Sequence, residues 1–345
     1  MVDAAGRRGE LQIAFHSRVF LTYAPIYMGA HESVSVQSLP GPSFARFVKV
    51  ISEFRTTTVS RRDFTRALIS IGGALVAAPG RAFAMGEAEL SPLRMAMAFP
   101  VIDPLFEKGF ELGAAEAARS ASLFNVEVSS QRVPLDSRLS AARAIDGIKS
   151  GNIAALITCS DETTTREVAE QCAAAGIIHV SCGSRADALR RNVCRESTFH
   201  VEASQAMYDG ARALAPNAKS IELWDPNLER YGAAQLNDRF KSFSGEKMNG
   251  AAWAGWFAVK AVFESFLRGS GDISAWIKSD RAQFDGHKGA PLSFRSWDGQ
   301  LRQPLYAIGD RIVDVPDTSR STNSPREILD TIGDRSGAQS CRRSP

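Results

Sequence analysis

The run Thr158-Cys159-Ser160-Asp161-Glu162 places two hydroxyls, a thiol and two carboxylates side by side. Two chemistries fit it. Thr158 and Ser160, with backbone N–H groups at a helix start, could hold a small carboxylate. Cys159 or Ser160 beside Asp161 could instead be imagined as a nucleophile, but that role needs a base. The chain has no G-x-S-x-G turn and no His at a position that obviously pairs with either residue. Ser160 fits a helix N-cap equally well, since capping is the commoner use of such a residue. Asp161 would repel an anion at this place, which weighs against a carboxylate ligand.

Four of the five cysteines (Cys159, Cys172, Cys182 and Cys194) fall in one stretch, and Cys341 lies near the end. In an oxidising compartment Cys182–Cys194 is the disulfide candidate, closing a loop around GSRADALRRNV. Buried free thiols suit Cys159 and Cys172 at least as well. Neither His179 nor His200 joins them in a Cys-x-x-Cys or His-x₃-His spacing, so no metal and no cofactor is expected.

Strands and helices alternate around these residues. RMAMAFPVI is strand-like, and Asp103-Pro104 opens a helix over LFEKGFELGAAEAARSASLF. NVEVSSQRV alternates as a strand, and SRLSAARAIDGIKSGN is a helix with a Gly-Asn end. IAALITCS is a continuous apolar strand of the parallel-sheet kind. DETTTREVAEQCAAAG is a helix capped by Ser160 or Asp161 and closed by Gly176, and IIHVSCG is the next strand. The alternation predicts a doubly wound parallel sheet. No phosphate-binding glycine motif sits at any strand-to-helix turn, which removes support for a nucleotide site. Phe99 and Asp103 then end the first strand, and Ser181 and Ser184 end the fourth, all facing one cleft. Farther on, Trp224, Tyr231 and Trp256 are candidates to cover a ligand by stacking, although helical spacing favours a core role for Trp253 and Trp256. FDGHKGAPLSFRSWDGQLRQPLYAIGDRIVD turns at Gly289 and Asp298-Gly299 as a hairpin does. His287 reads as a turn residue, and from Pro316 the low apolar content predicts a mostly disordered tail.

SRRDFTRALISIGGALVAAPGRAFA, from Ser60 to Ala84, has the basic region, short apolar run and small-residue cleavage site of an export signal. Ser-Arg-Arg-x-Phe resembles the twin-arginine form. Residues 59–84 are therefore expected to be a signal peptide directing the chain to the periplasm, and 1–58 an extension produced by a start assigned too early. Those first 84 residues carry ten Arg/Lys against five Asp/Glu, a surplus of five, so the chain's +3 becomes −2 beyond them. No basic stripe remains to attract nucleic acid.

From Arg94 to Val313 the order of elements resembles the type 1 periplasmic substrate-binding proteins of ABC importers, the leucine/isoleucine/valine-binding family. WAGWFAVKAVFESF followed by FDGHKGAPLSFRSWDGQLRQPLY is similar to that family's last helix and closing hairpin. ADALRRNVCRESTFHVEASQAMYDG with LRQPLY resembles a subgroup tied to alcohol catabolism dependent on pyrroloquinoline quinone. The resemblance implies a two-lobed α/β fold with a first lobe over 92–200, a second over 201–314, and a tail over 315–345. It implies a small ligand held between the lobes without catalysis, and an ABC permease as partner. Amino acids, short carboxylates, amides and alcohol-derived compounds remain open as ligands. The family places several more strand-helix units where this chain moves from QAMYDGARALA almost directly to KSIELWDP, so the second lobe is expected to be abbreviated. A degenerate lobe acting as sensor or accessory to periplasmic dehydrogenases is the rival reading, and an exported enzyme the third.

Overall fold

The computed structural model describes residues 91–99, 101–134, 141–191, 193–319 and 322–334. The expected extension, export signal and last residues of the tail lie outside them. Among the described residues no helix is long and apolar enough to cross a membrane.

Five parallel strands form the central sheet in the order β2-β1-β3-β4-β5: β1 (Leu93–Phe99), β2 (Val128–Pro134), β3 (Ala155–Thr158), β4 (Ile178–Ser181) and β5 (Thr198–His200). Helix α1 (Pro104–Ala121) crosses from β1 to β2, α2 (Ala141–Ser150) from β2 to β3, and α3 (Glu162–Ala175) from β3 to β4. Period-2 alternation sends Met95, Ile157, Val180 and Phe199 into one core and Ala96, Ala98 and Leu156 into another on the opposite face, where Ile148 and Val168 of the helices cover them. Two covered faces are what a parallel sheet requires, and the sequence expectation of a doubly wound α/β fold holds. The chain leaves β1 for one neighbour, β2, and later returns on its other side as β3. The strand order therefore reverses between β1 and β3, where open α/β sheets leave a crevice at the carboxyl ends.

Beyond β5 come α4 (Gln205–Leu214), β6 (Ser220–Glu222), α5 (Ala233–Ser244), α6 (Gly250–Arg268) and the short α7 (Ile273–Ile277). Strands β7 (Phe284–Asp285), β8 (Pro291–Phe294) and β9 (Leu301–Arg302) form one antiparallel sheet. Strands β10 (Leu305–Ile308) and β11 (Ile312–Val315) join β6 in another, of order β11-β10-β6. Beyond position 200 the chain thus builds two three-stranded antiparallel sheets. The longest helix there, α6, turns back to lie along α1, so the larger core takes in residues on both sides of position 200. Gly109, Gly113 and Gly255 make this possible. A Cβ at Gly255 would lie 2.5 Å from the Phe106 carbonyl oxygen, and one at Gly109 would run into that of Ala252.

The described residues 322–334 depart from the expected disorder. Ser324 and Glu327 close a reciprocal capping box on α8 (Pro325–Leu329), and Ile328, Leu329 and Ile332 are buried. Asp330 accepts from Arg295 at 2.8 Å and from Arg302 at 2.9 Å, while Asp334 takes a bidentate pair from Arg191 at 2.6 and 2.7 Å. The segment has few apolar residues, but arginines elsewhere in the chain, the buried Arg295 and Arg302 and the exposed Arg191, supply its anchors. Composition alone cannot reveal such partners.

Candidate functional site at the strand carboxyl ends

Three helices begin at the crevice. Asp103 caps α1, its Oδ1 accepting from the Leu105 N–H at 2.8 Å. Its Oδ2 accepts from Asn249 Nδ2 at 2.9 Å, and Asn249 Oδ1 in turn accepts from the Ala252 N–H at 2.9 Å to cap α6. The two N-termini therefore start side by side, joined through their caps. Asp161, not Ser160, caps α3, accepting from the Thr164 N–H at 2.8 Å. The Ile102 N–H donates to the Cys159 carbonyl at 2.9 Å, which ties the turn after β1 to the turn after β3. Gly183 packs directly on that second turn, since a Cβ there would stand 2.7 Å from the Ser160 nitrogen. A helix N-terminus favours negative charge. Here that preference is already met at two of the three by the chain's own carboxylates, Asp103 and Asp161, and at the third by an amide.

The other sequence candidates are spread more widely. Phe99 closes β1. Thr158 Oγ1 is 2.9 Å from His179 Nε2, and Ser160 Oγ is 3.1 Å from Thr165 Oγ1, all of them buried. Ser181 is fully buried, and Ser184 Oγ accepts from the Ala186 N–H at 3.3 Å. Trp224 donates through Nε1 to Asn237 at 2.9 Å and stacks on Trp253 with centroids 5.9 Å apart. Trp256 of α6 packs against α1, its Nε1 donating to Glu116 at 2.8 Å, and its ring stacks on His287. Tyr231 alone of the three aromatics is exposed, at 45%. The structure thus gathers Asp103, Thr158, Ser160, Ser181 and Ser184 near the ends of β1, β3 and β4, and puts Trp224 and Trp256 in the core. An open hollow of about 390 Å³ lies apart from these ends, between α1 and α5, lined by Glu116, Arg119, Ser120, Leu123 and Arg239.

The expected Cys182–Cys194 bridge is not formed. Cys182 is a free thiol inside the core, pointing at the Ala254 carbonyl at 3.7 Å, whereas Cys194 is disulfide-bonded. Period-2 geometry explains the difference: Cys182 follows Val180 on the inward face of β4, away from the loop that carries Cys194. Cys159 and Cys172 are free and buried as expected. Burial, with help from the Asp103 and Glu202 carboxylates, pushes the Cys159 thiol up to about 12, far from a nucleophile's range. Burial lowers His179 to about 3, and lowers His200 well below its ordinary value with help from Arg190.

Sequence reasoning missed a set of buried charges just past β5. Glu202, 7% exposed, accepts from the Tyr208 hydroxyl at 2.8 Å and lies 3.5 Å from Arg185. Burial pushes its carboxyl pKa up, while Arg185, Tyr208 and Arg190 pull it down. Arg190 donates to Gln300 Oε1 at 2.9 Å and to the Ser184, Ala186 and Glu202 carbonyls at 2.8–3.0 Å. The signal in the sequence was an acidic residue, Glu202, set between the apolar Val201 and Ala203 just past a strand.

No protein-family model matches the chain, and no curated protein is similar to it in sequence. Solved structures do match its shape. A periplasmic binding protein of Burkholderia mallei superposes with a TM-score of 0.57 at 10% identity, over 73% of this chain and 98% of its own. The fold is that of a periplasmic binding protein. An ABC transporter substrate-binding protein of Desulfitobacterium hafniense, solved with Leu, gives 0.53 at 14% identity, over 65% of this chain and 100% of its own. An ABC transporter solute-binding protein of R. palustris, solved with benzoate, also gives 0.53, at 11% identity, over 65% and 96%. Both share with this chain the periplasmic-binding fold and its parallel central sheet.

Proposed function

We propose that this chain is the solute-binding component of an ABC importer, working in the periplasm and taking a small polar ligand without catalysis. The carrying observation is the fold, shared with binding proteins solved with Leu and with benzoate. The site is the crevice at the ends of β1 and β3, rimmed by Asp103, Asp161 and Asn249. Thr158, Ser160, Ser181 and Ser184 lie buried beneath it, and Tyr231 is the exposed aromatic among the candidates. With the three N-termini already capped from within, two of them by carboxylates, a further anion meets two negative charges at the rim. An amine, amide or hydroxyl meets acceptors instead. A neutral or cationic ligand is therefore favoured over a carboxylate. The resemblance of ADALRRNVCRESTFHVEASQAMYDG and LRQPLY to the subgroup tied to alcohol oxidation adds alcohol-derived compounds to that class. Export by the twin-arginine route and delivery to a membrane permease complete the reading.

Thermal unfolding of the purified protein against amines, amides, alcohols, amino acids and short carboxylates tests it. A binder at 100 times its Kd adds about 2.7 kcal/mol. A rise with an amine, amide or alcohol, lost in Asp103→Ala, supports both the site and the ligand class. A rise with carboxylates alone overturns the class. Silence across the whole panel overturns binding and favours an accessory role.

A further inference from the structure

Lys288 is an unusual residue to find in a core. Its side chain is 1% exposed, and its Nζ lies 2.7 Å from the Leu223 carbonyl, 2.8 Å from Gln303 Oε1 and 3.2 Å from the Pro304 carbonyl. Two aromatic faces complete the enclosure, Trp253 with its ring centroid 4.0 Å from Nζ and Tyr306 at 5.2 Å. Burial works against the charged form here, with the carboxylates of Glu202 and Asp314 near enough to favour it. The hydrogen-bond count decides between the two. Both carbonyls are acceptors only, and Gln303 presents its oxygen to Lys288 because its Nε2 donates to the Val201 carbonyl at 2.6 Å. Three acceptors require three N–H donors. A neutral amine has two, an ammonium three. Ring faces likewise attract a cation.

The enclosure is assembled from separate parts of the chain. Leu223 follows β6, Gln303 and Pro304 link β9 to β10, Trp253 comes from α6, and Val201 follows β5. Lys288 enters from the turn after β7, aimed inward by positive φ at His287 and Gly289. The Trp253 Nε1 donates to the Gly286 carbonyl at 3.0 Å and fixes the same turn.

We infer that Trp253, Tyr306, Leu223, Gln303 and Pro304 form a recognition site for a primary ammonium, and that the chain fills it with its own Lys288. Lys288 is in effect a tethered ligand. It fastens the end of the central sheet, the small second sheet and the β7–β8 turn together without a solute. The inference is independent of the proposed solute binding, and its test reads the difference between a variant and the native protein under the same probe, so either can fail alone.

Lys288→Ala removes three methylenes and the ammonium, the equivalent of n-propylammonium. The expected result is a lowered unfolding midpoint that rises saturably with n-propylammonium chloride by more than the native protein's midpoint does, while 1-propanol gives the variant no rise beyond the native protein's. Equal rescue by 1-propanol, or no rescue by n-propylammonium, overturns ammonium recognition. Should Lys288→Ala not fold, Lys288→Met still decides. It keeps an unbranched chain one atom shorter but leaves three buried oxygens without a donor, and a midpoint lower by on the order of 10 °C is expected. A Met variant as stable as the native protein overturns the inference.

Discussion

Gly255→Ala sets two well-measured effects against each other. In an exposed helix interior, replacing Gly by Ala gains about 1 kcal/mol from the reduced freedom of the unfolded chain. At Gly255 the new methyl would stand 2.5 Å from the Phe106 carbonyl oxygen and 2.9 Å from the Phe110 nitrogen. These are backbone atoms of α1, which no rotamer change can move aside. Reaching an ordinary separation of about 3.5 Å requires the helices to part by about 1 Å, which forfeits a quarter to a half of each dispersion contact across the seam. Overpacking of this kind costs about 1–3 kcal/mol, occasionally more. The steric effect wins, by about 2 kcal/mol once lost contacts are added to the overpacking, or a midpoint lower by about 4–8 °C. Gly147 supplies the contrast, because a Cβ there meets nothing within 4 Å. Gly147→Ala should raise the midpoint by about 2–4 °C. Calorimetry or urea unfolding of the two variants reads both signs. A Gly255→Ala protein at least as stable as the parent would refute the close α1–α6 packing, and with it the pairing of Asp103 with Asn249.

Two further outcomes follow from the buried charges. His179 titrates near 6.5 when unfolded and near 3 when folded, so below 6.5 the unfolded chain binds the extra proton and stability falls with pH. Relative to His179→Gln, the native protein should lose about 1.4 kcal/mol per pH unit between 6.5 and 3, and parallel pH profiles would contradict this. The comparison cancels Asp298, whose pKa raised to about 6 acts in the opposite direction. Asp330→Asn removes the carboxylate shared by Arg295 and Arg302. Because Asp330 is partly exposed, the loss is expected near 2 kcal/mol rather than the larger cost of a fully buried pair. Limited proteolysis should then cut within 316–334 first, and unchanged cleavage would argue against the clasp.

What the sequence determined by itself was local. The continuous apolar run IAALITCS, with IIHVSCG after the next helix, gave buried parallel strands, Asp103-Pro104 and Gly176 marked helix ends, and Asp298-Gly299 marked a turn. Each is a preference of neighbouring residues, visible within a few positions. The tertiary structure decided where polar groups spend their hydrogen bonds. Thr158 and Ser160 look available in TCSDE but are turned toward His179 and Thr165. Asp103 needed Asn249, 146 residues away, and Arg190 needed Gln300, 110 residues away. The tail needed Arg191, Arg295 and Arg302, and Lys288 needed carbonyls from two other segments. A buried charge is tolerated only when the rest of the fold supplies its partners. Those partners are defined by packing, not by any spacing along the chain.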